Sequence, residues 1–230
     1  MKPLSHFVLA IGTCAAMAPP LANAATFQNG SFELTGLSSG SVTFLPSGST
    51  FVDGWVTGPY QGAGTQQVFH QVVSFGVVAR DGRASIGFGG SGTTDGRISQ
   101  SFDTVFGESY TVRFSTTAQQ SGSGAQSYLA QALNSVGGIL GSVAGAIPVG
   151  DNAWVDHGFS FIAASTTSQL QFADTSNGAT AAGINWALDA VSVSSAITVT
   201  PVPEPSTYAL MLLGLAATGA IARRKSAKAR

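Results

Sequence analysis

Between Ala25 and Ala196 the chain carries four arginines, ten carboxylates and two histidines, and neither lysine nor cysteine. That set limits the available chemistry. Gly36-Leu37-Ser38-Ser39-Gly40 has the spacing of a nucleophile elbow, but no strand-to-helix turn is predicted around it, and a chain with 29 glycines meets that spacing by chance. His70 and His157 stand far apart; His157 shares strand parity with Phe159 and Phe161 and reads as a half-buried core residue. Asp151 and Asp156 precede or open a strand, where acidic residues are common. No zinc constellation, phosphate loop or dinucleotide fingerprint is present. The expectation is a non-enzyme. Sugar binding needs less: a flat exposed ring, with polar neighbours to read hydroxyls. Trp55, Trp154 and Trp186 lie in patterns that read as core, where a ring packs instead of binding. Tyr60, in Gly58-Pro59-Tyr60-Gln61-Gly62, is the better exposed candidate, with Asp53 and Gln61 beside it.

The elements that must position these residues are strands. Tyr110, Val112 and Phe114 alternate with Thr111, Arg113 and Ser115. Val155, His157, Phe159 and Phe161 alternate with Asp156, Gly158 and Ser160, and Leu170 and Phe172 with Gln169 and Gln171. This period of two is the mark of half-buried strands. Further strands are predicted at Thr26–Phe32, Val72–Val78, Ala84–Phe88, Arg97–Thr104 and Asn185–Ser194, with Gly- and Ser-rich turns between them. Many short strands with such turns predict an all-β sandwich, a jelly roll. Tyr128–Gly150 is uncharged and rich in glycine. It is read as a strand, Ser127–Leu133, followed by an apolar excursion that either folds over the sandwich or serves as a contact surface.

Both ends differ from this centre. Lys2, the apolar run Phe7–Ala18, Pro19-Pro20 and Ala22-Asn23-Ala24 compose a signal peptide over 1–24. Cys14 is lost with it, so the mature chain has no disulfide and a core or a metal must hold it together. The domain, 25–196, has a formal charge of −6, four arginines against ten carboxylates. That balance argues against nucleic acid, which requires a basic footprint, and permits divalent cations and neutral glycans. The tail, 197–230, holds Pro201-Val202-Pro203-Glu204-Pro205-Ser206, an uncharged run at about 207–222, and Arg223-Arg224-Lys225. As a helix the run is roughly 24 Å long, near the lower limit for one transmembrane span. The basic cluster stays cytoplasmic by the positive-inside rule, which places the domain outside.

Proline-Glu-Pro, apolar run and basic stop, in that order, resemble the PEP-CTERM sorting signal. The resemblance implies a Gram-negative bacterium, an inner-membrane intermediate held by the helix, and an exosortase-like enzyme that recognises Pro203, Glu204 and Pro205 on the way to the cell surface or matrix.

The domain has a resemblance of its own. Asn29-Gly30-Ser31-Phe32-Glu33, Gly54-Trp55, Ala84–Phe88, Gly96–Phe102, Gly107–Phe114, Trp154–Phe161, Leu170–Phe172 and Leu188–Val193 occur in an order that resembles galactose-binding-like jelly rolls of the DUF642 and choice-of-anchor type. These are also similar to several carbohydrate-binding modules. Two departures are Gly87 and the length of the Gln119–Gly150 region. The resemblance implies a structural calcium between first and last strands, held by Glu33 and Asp189; the alternative has Glu33 capping a turn and Asp189 at a strand edge. The function implied is binding or organising extracellular polysaccharide, with two rivals: a structural envelope or biofilm protein that associates with other proteins, and a small secreted hydrolase.

Overall fold

The computed structural model describes residues 26–59, 68–74, 76–89, 95–118, 126–148, 152–176, 185–196 and 210–213. The chain divides into two compact units, Met1–Ser194 and Ser195–Arg230.

Among the described residues the first unit has eleven strands: β1 Val42–Leu45, β2 Val56–Pro59, β3 Val68–Val72, β4 Ala84–Gly89, β5 Gly96–Asp103, β6 Ser109–Ala118, β7 Gln126–Asn134, β8 Ile139–Ile147, β9 Val155–Ile162, β10 Thr167–Asp174 and β11 Asn185–Ser195. They form two sheets, in the orders β1-β3-β4-β11-β6-β9 and β2-β5-β10-β7-β8. The pairings nest. β7 pairs with β8, β6 with β9, β5 with β10 and β4 with β11, in alternate sheets. The stretch from β4 to β11 is thus one long antiparallel ribbon, folded at the β7–β8 turn and rolled into two layers. That winding defines a jelly roll.

Alternation dictates what fills the gap between the sheets. Leu45, Val68, Phe88 and Trp186 lie in one cross-strand row of the six-stranded sheet, and all are buried. Ile98, Phe172 and Ala130 form a facing row. Rings dominate the contacts: Phe88 stacks on Trp186 at 4.2 Å, Phe114 meets Phe172 at 5.0 Å and Phe32 meets Trp55 at 5.1 Å. Each large apolar side chain so buried contributes roughly 1.5–3 kcal/mol, which a disulfide-free chain needs.

Several sequence-based expectations are corrected. Thr26–Phe32 is not a strand. Asn29 and Phe32 adopt positive φ, and Glu33 N donates to Asn29 Oδ1, so the segment coils inward. Val72–Val78 is not continuous either: β3 ends at Val72, and Ser74 and Val77 make an isolated bridge. The apolar excursion after Leu133 is a second strand, β8. Asn134 Oδ1 accepts from Val136 N and Gly138 N, and Gly137 takes φ 84°, which closes a hairpin. Its glycines suit close packing: a Cβ on Gly141 would collide with the Ser160 carbonyl, and one on Gly145 would crowd the Tyr128 ring. Trp154 is not core. It is half-buried and donates its Nε1–H to Val78 O at 2.9 Å.

Of the second unit, residues 195, 196 and 210–213 are described, and 210–213 are helical with exposed side chains. Among the described residues no helix is long and apolar enough to cross a membrane. The expected signal peptide, Pro203, Glu204, Pro205 and most of the predicted span lie outside the described residues.

Candidate functional site

The two ends of the sandwich meet at the opening motif. Val191 N donates to Gly30 O at 2.9 Å, and any Cβ on Gly30 would collide with the Val191 carbonyl. Asn29 organises the surrounding loops. Its O accepts the Trp55 indole N–H at 3.0 Å, while its Nδ2 donates to Glu33 O at 3.3 Å and to Asp53 O at 3.4 Å. One side chain therefore draws the Glu33 and Asp53 segments together.

Between them lies a groove of about 300 Å³, lined by Glu33, Leu34, Thr35, Leu37, Phe51 and Asp53. Phe51 is 43 % exposed. Its inner edge meets the His70 ring at a centroid distance of 6.0 Å. His70 is anchored to Phe32 O through Nε2 at 2.9 Å, and burial lowers its pKa, so it is a neutral packing residue. The ring of Phe51 is thus held from behind and open in front. Thr35 and Asp53 are exposed beside it, and Glu33 is half-exposed. The groove thus combines an apolar ring face with carboxylate and hydroxyl oxygens that can accept and donate hydrogen bonds. The volume falls at the lower bound for small-ligand pockets.

Glu33 and Asp189 converge, but on main chain. Glu33 Oε1 accepts from Arg83 N at 2.6 Å and Ala84 N at 2.8 Å. Asp189 Oδ2 accepts from Arg80 N at 2.7 Å and Asp81 N at 3.0 Å, and its Oδ1 from Ala190 N at 2.6 Å. The two carboxylates clamp one loop, Arg80–Ala84, and at Gly82 a Cβ would collide with the Glu33 carboxylate. Calcium wants six to eight oxygens. Here three of the four carboxylate oxygens face N–H donors, whose positive ends oppose a cation, and among the described residues no group of three or more His, Cys, Asp or Glu is close enough to hold a metal. The donor set as placed does not fit calcium; it fits a main-chain clamp.

Asp53 lies in the groove, whereas Tyr60 and Gln61 lie outside the described residues. Both follow Pro59, the last residue of β2, while Asp53 precedes β2. Sequence reasoning missed Phe51, a lone aromatic in a Ser- and Thr-rich connection, because no periodicity marks it. It also missed a polar ladder on the outer face of the five-stranded sheet. There Arg97 Nη1 donates to Gln171 Oε1 at 3.4 Å, and Gln171 Nε2 to Gln131 Oε1 at 3.3 Å. Register alone makes these residues neighbours.

The strands and their winding define an all-β jelly-roll domain. Residues 25–194 match the family model described as "Protein of unknown function (DUF642)", and the chain belongs to that family. Residues 201–225 match the PEP-CTERM protein-sorting motif, which indicates export and sorting to the cell surface of a Gram-negative bacterium. No curated protein matches the chain. Solved structures that resemble it include TmCBM61 in complex with beta-1,4-galactotriose, at 17% identity over 62% of this chain and 88% of that one, TM-score 0.47. A structure titled "CBM4 structure and function" has 15% identity over 73% and 98%, TM-score 0.48. The CBM22-1 xylan-binding domain from Paenibacillus barcinonensis Xyn10C has 15% identity over 69% and 97%, TM-score 0.42. None of the three reaches a TM-score of 0.5.

Proposed function

We propose that this protein is exported, processed by an exosortase-like enzyme at Pro203-Glu204-Pro205, and binds extracellular polysaccharide through the Phe51 groove without catalysis. The observation that carries the binding is the ring of Phe51, backed by His70 and flanked by Asp53, Glu33 and Thr35. A neutral sugar ring stacks on Phe51 and Asp53 accepts from its hydroxyls. Affinity electrophoresis of the full chain in gels of neutral polysaccharides tests this. Phe51→Ala and Asp53→Ala are each expected to weaken retention about tenfold with an unchanged melting temperature. Retention equal to wild type in both sinks the reading; loss in Tyr60→Ala alone moves the site to the far end of β2.

Processing has a separate readout. Mass spectrometry of the surface-exposed protein is expected to find a C-terminus upstream of Arg223, and Glu204→Ala is expected to leave the tail intact. A wild-type surface protein that still ends at Arg230 excludes cleavage. A second reading, association with other envelope proteins, is favoured by β8, an uncharged edge strand of nine residues. It gains if no polysaccharide retards the wild-type chain.

A further inference from the structure

On the outer face of the six-stranded sheet, β6 and β9 set their side chains in three opposed pairs: Thr111 with Ser160, Arg113 with Gly158, and Ser115 with Asp156. The middle pair is the unusual one. Gly158 leaves the guanidinium side of Arg113 without a facing side chain, and a Cβ there would press on the Val112 carbonyl. The result is a groove of about 390 Å³ whose centre is the backbone of Gly158 and whose one cation among the described residues is Arg113. Its neighbours are already committed. Thr111 Oγ1 and Ser160 Oγ bond to each other at 3.1 Å. Asp156 accepts from Ser115 Oγ at 2.6 Å and from Arg80 Nη2 at 3.2 Å, and the Ser115 hydrogen bond, with Arg80 beyond it, holds its pKa low. The carboxylate that lines the groove is thus occupied by another arginine, and Arg113 is exposed with no hydrogen bond or ion pair among the described residues.

We infer that this groove is a second glycan contact, which takes a carboxylated sugar unit with the carboxylate on Arg113 and ring hydroxyls on the Thr111–Ser160 pair. The inference rests on the polysaccharide reading above but uses a different surface: the Phe51 groove lies beside β3 and β4, and this one at the β6–β9 margin of the sheet. Arginine suits the task because its fork meets a carboxylate through two parallel N–H···O bonds. The domain's formal −6 opposes a polyanion at long range. At physiological ionic strength, however, charges beyond about 8 Å are largely screened, and the short-range pair prevails. An exposed ion pair adds at most about 1 kcal/mol per contact, about fivefold in Kd, which is enough to choose between an acid and its ester on one polymer.

The test uses the full chain with matched polymers, polygalacturonate and alginate, each against its methyl ester, so that only the carboxylate changes. Wild type is expected to bind at least one acid about fivefold more tightly than its ester, and the preference should fade at high salt. Arg113→Gln removes the preference without moving the melting temperature, and Arg113→Lys keeps part of it. Equal binding of acid and ester in every pair overturns the inference, as does a preference that survives Arg113→Gln. Phe51→Ala distinguishes the two sites: it is expected to weaken acid and ester alike and leave their ratio unchanged, so a failure there strikes the first groove and not the second.

Discussion

Trp55→Ala is expected to lower the stability of the domain by about 3–5 kcal/mol, the usual cost of deleting a buried aromatic. Trp55 is 1 % exposed. It touches Phe27, Phe32 and Phe172, with ring centroids at 5.7, 5.1 and 6.2 Å, and its indole N–H holds Asn29 O. Its loss therefore opens a cavity and also frees the loop that seats Glu33 and Asp53. Against a typical total of about 5–15 kcal/mol, the variant would be largely unfolded at growth temperature or nearly so. Trp154→Ala is the control. It loses one exposed hydrogen bond to Val78 O, and should cost about 1 kcal/mol. Urea denaturation of both variants decides the matter. If Trp154→Ala is the more damaging, the core has been drawn around the wrong tryptophan.

Asp189→Asn is expected to be the second most damaging change, and its effect should depend on pH. The side chain is fully buried, and a carboxamide nitrogen would face the N–H groups of Arg80 and Asp81 that Oδ2 now accepts. Leaving such donors unsatisfied costs about 1–3 kcal/mol each. Burial pushes the Asp189 carboxyl up to about 7, against the opposing pull of its three N–H partners. The folded pKa thus lies above the ordinary value of 3.8. Native protein then binds the proton more tightly than unfolded protein does. Stability from this group is fully present below about pH 4 and is lost as pH rises through about 7. Asp174, also raised by burial, acts in the same direction. His70 and His157, both lowered by burial, act in the opposite one: their contribution is present above 6.5 and lost as pH falls below it. The informative quantity is therefore the gap in unfolding free energy between wild type and Asp189→Asn. It is expected to narrow from pH 4 to pH 7, and a gap independent of pH would contradict a titrating Asp189. The same melting curves, repeated with a calcium chelator, should not move; a lower melting temperature would return the ion to the Glu33–Asp189 loop.

Strands whose two faces differ were legible in the chain. β5, β6, β9, β10 and β11 alternate because one side of each meets the core and the other meets polar surroundings, and that contrast is written into neighbouring residues. β4 was also found, though both of its faces are buried. β8 was not, because close packing against Ser160 and Tyr128 demands glycine where a strand normally carries a branched residue. Trp154 carries the same side chain as Trp55, and nothing local says that one meets Val78 at the surface and the other the centre of the sandwich. The sorting motif at 201–225 is linear, a run of adjacent residues, and sequence alone suffices for it. The sites are another matter. Asp53 stands 20 residues from Glu33 and Arg113 stands 45 from Gly158; the first pair meets through the side chain of Asn29, the second through the antiparallel register of β6 and β9. A groove is made by what surrounds it, including the side chains that are missing, and the winding of the ribbon alone decides which of those faces which.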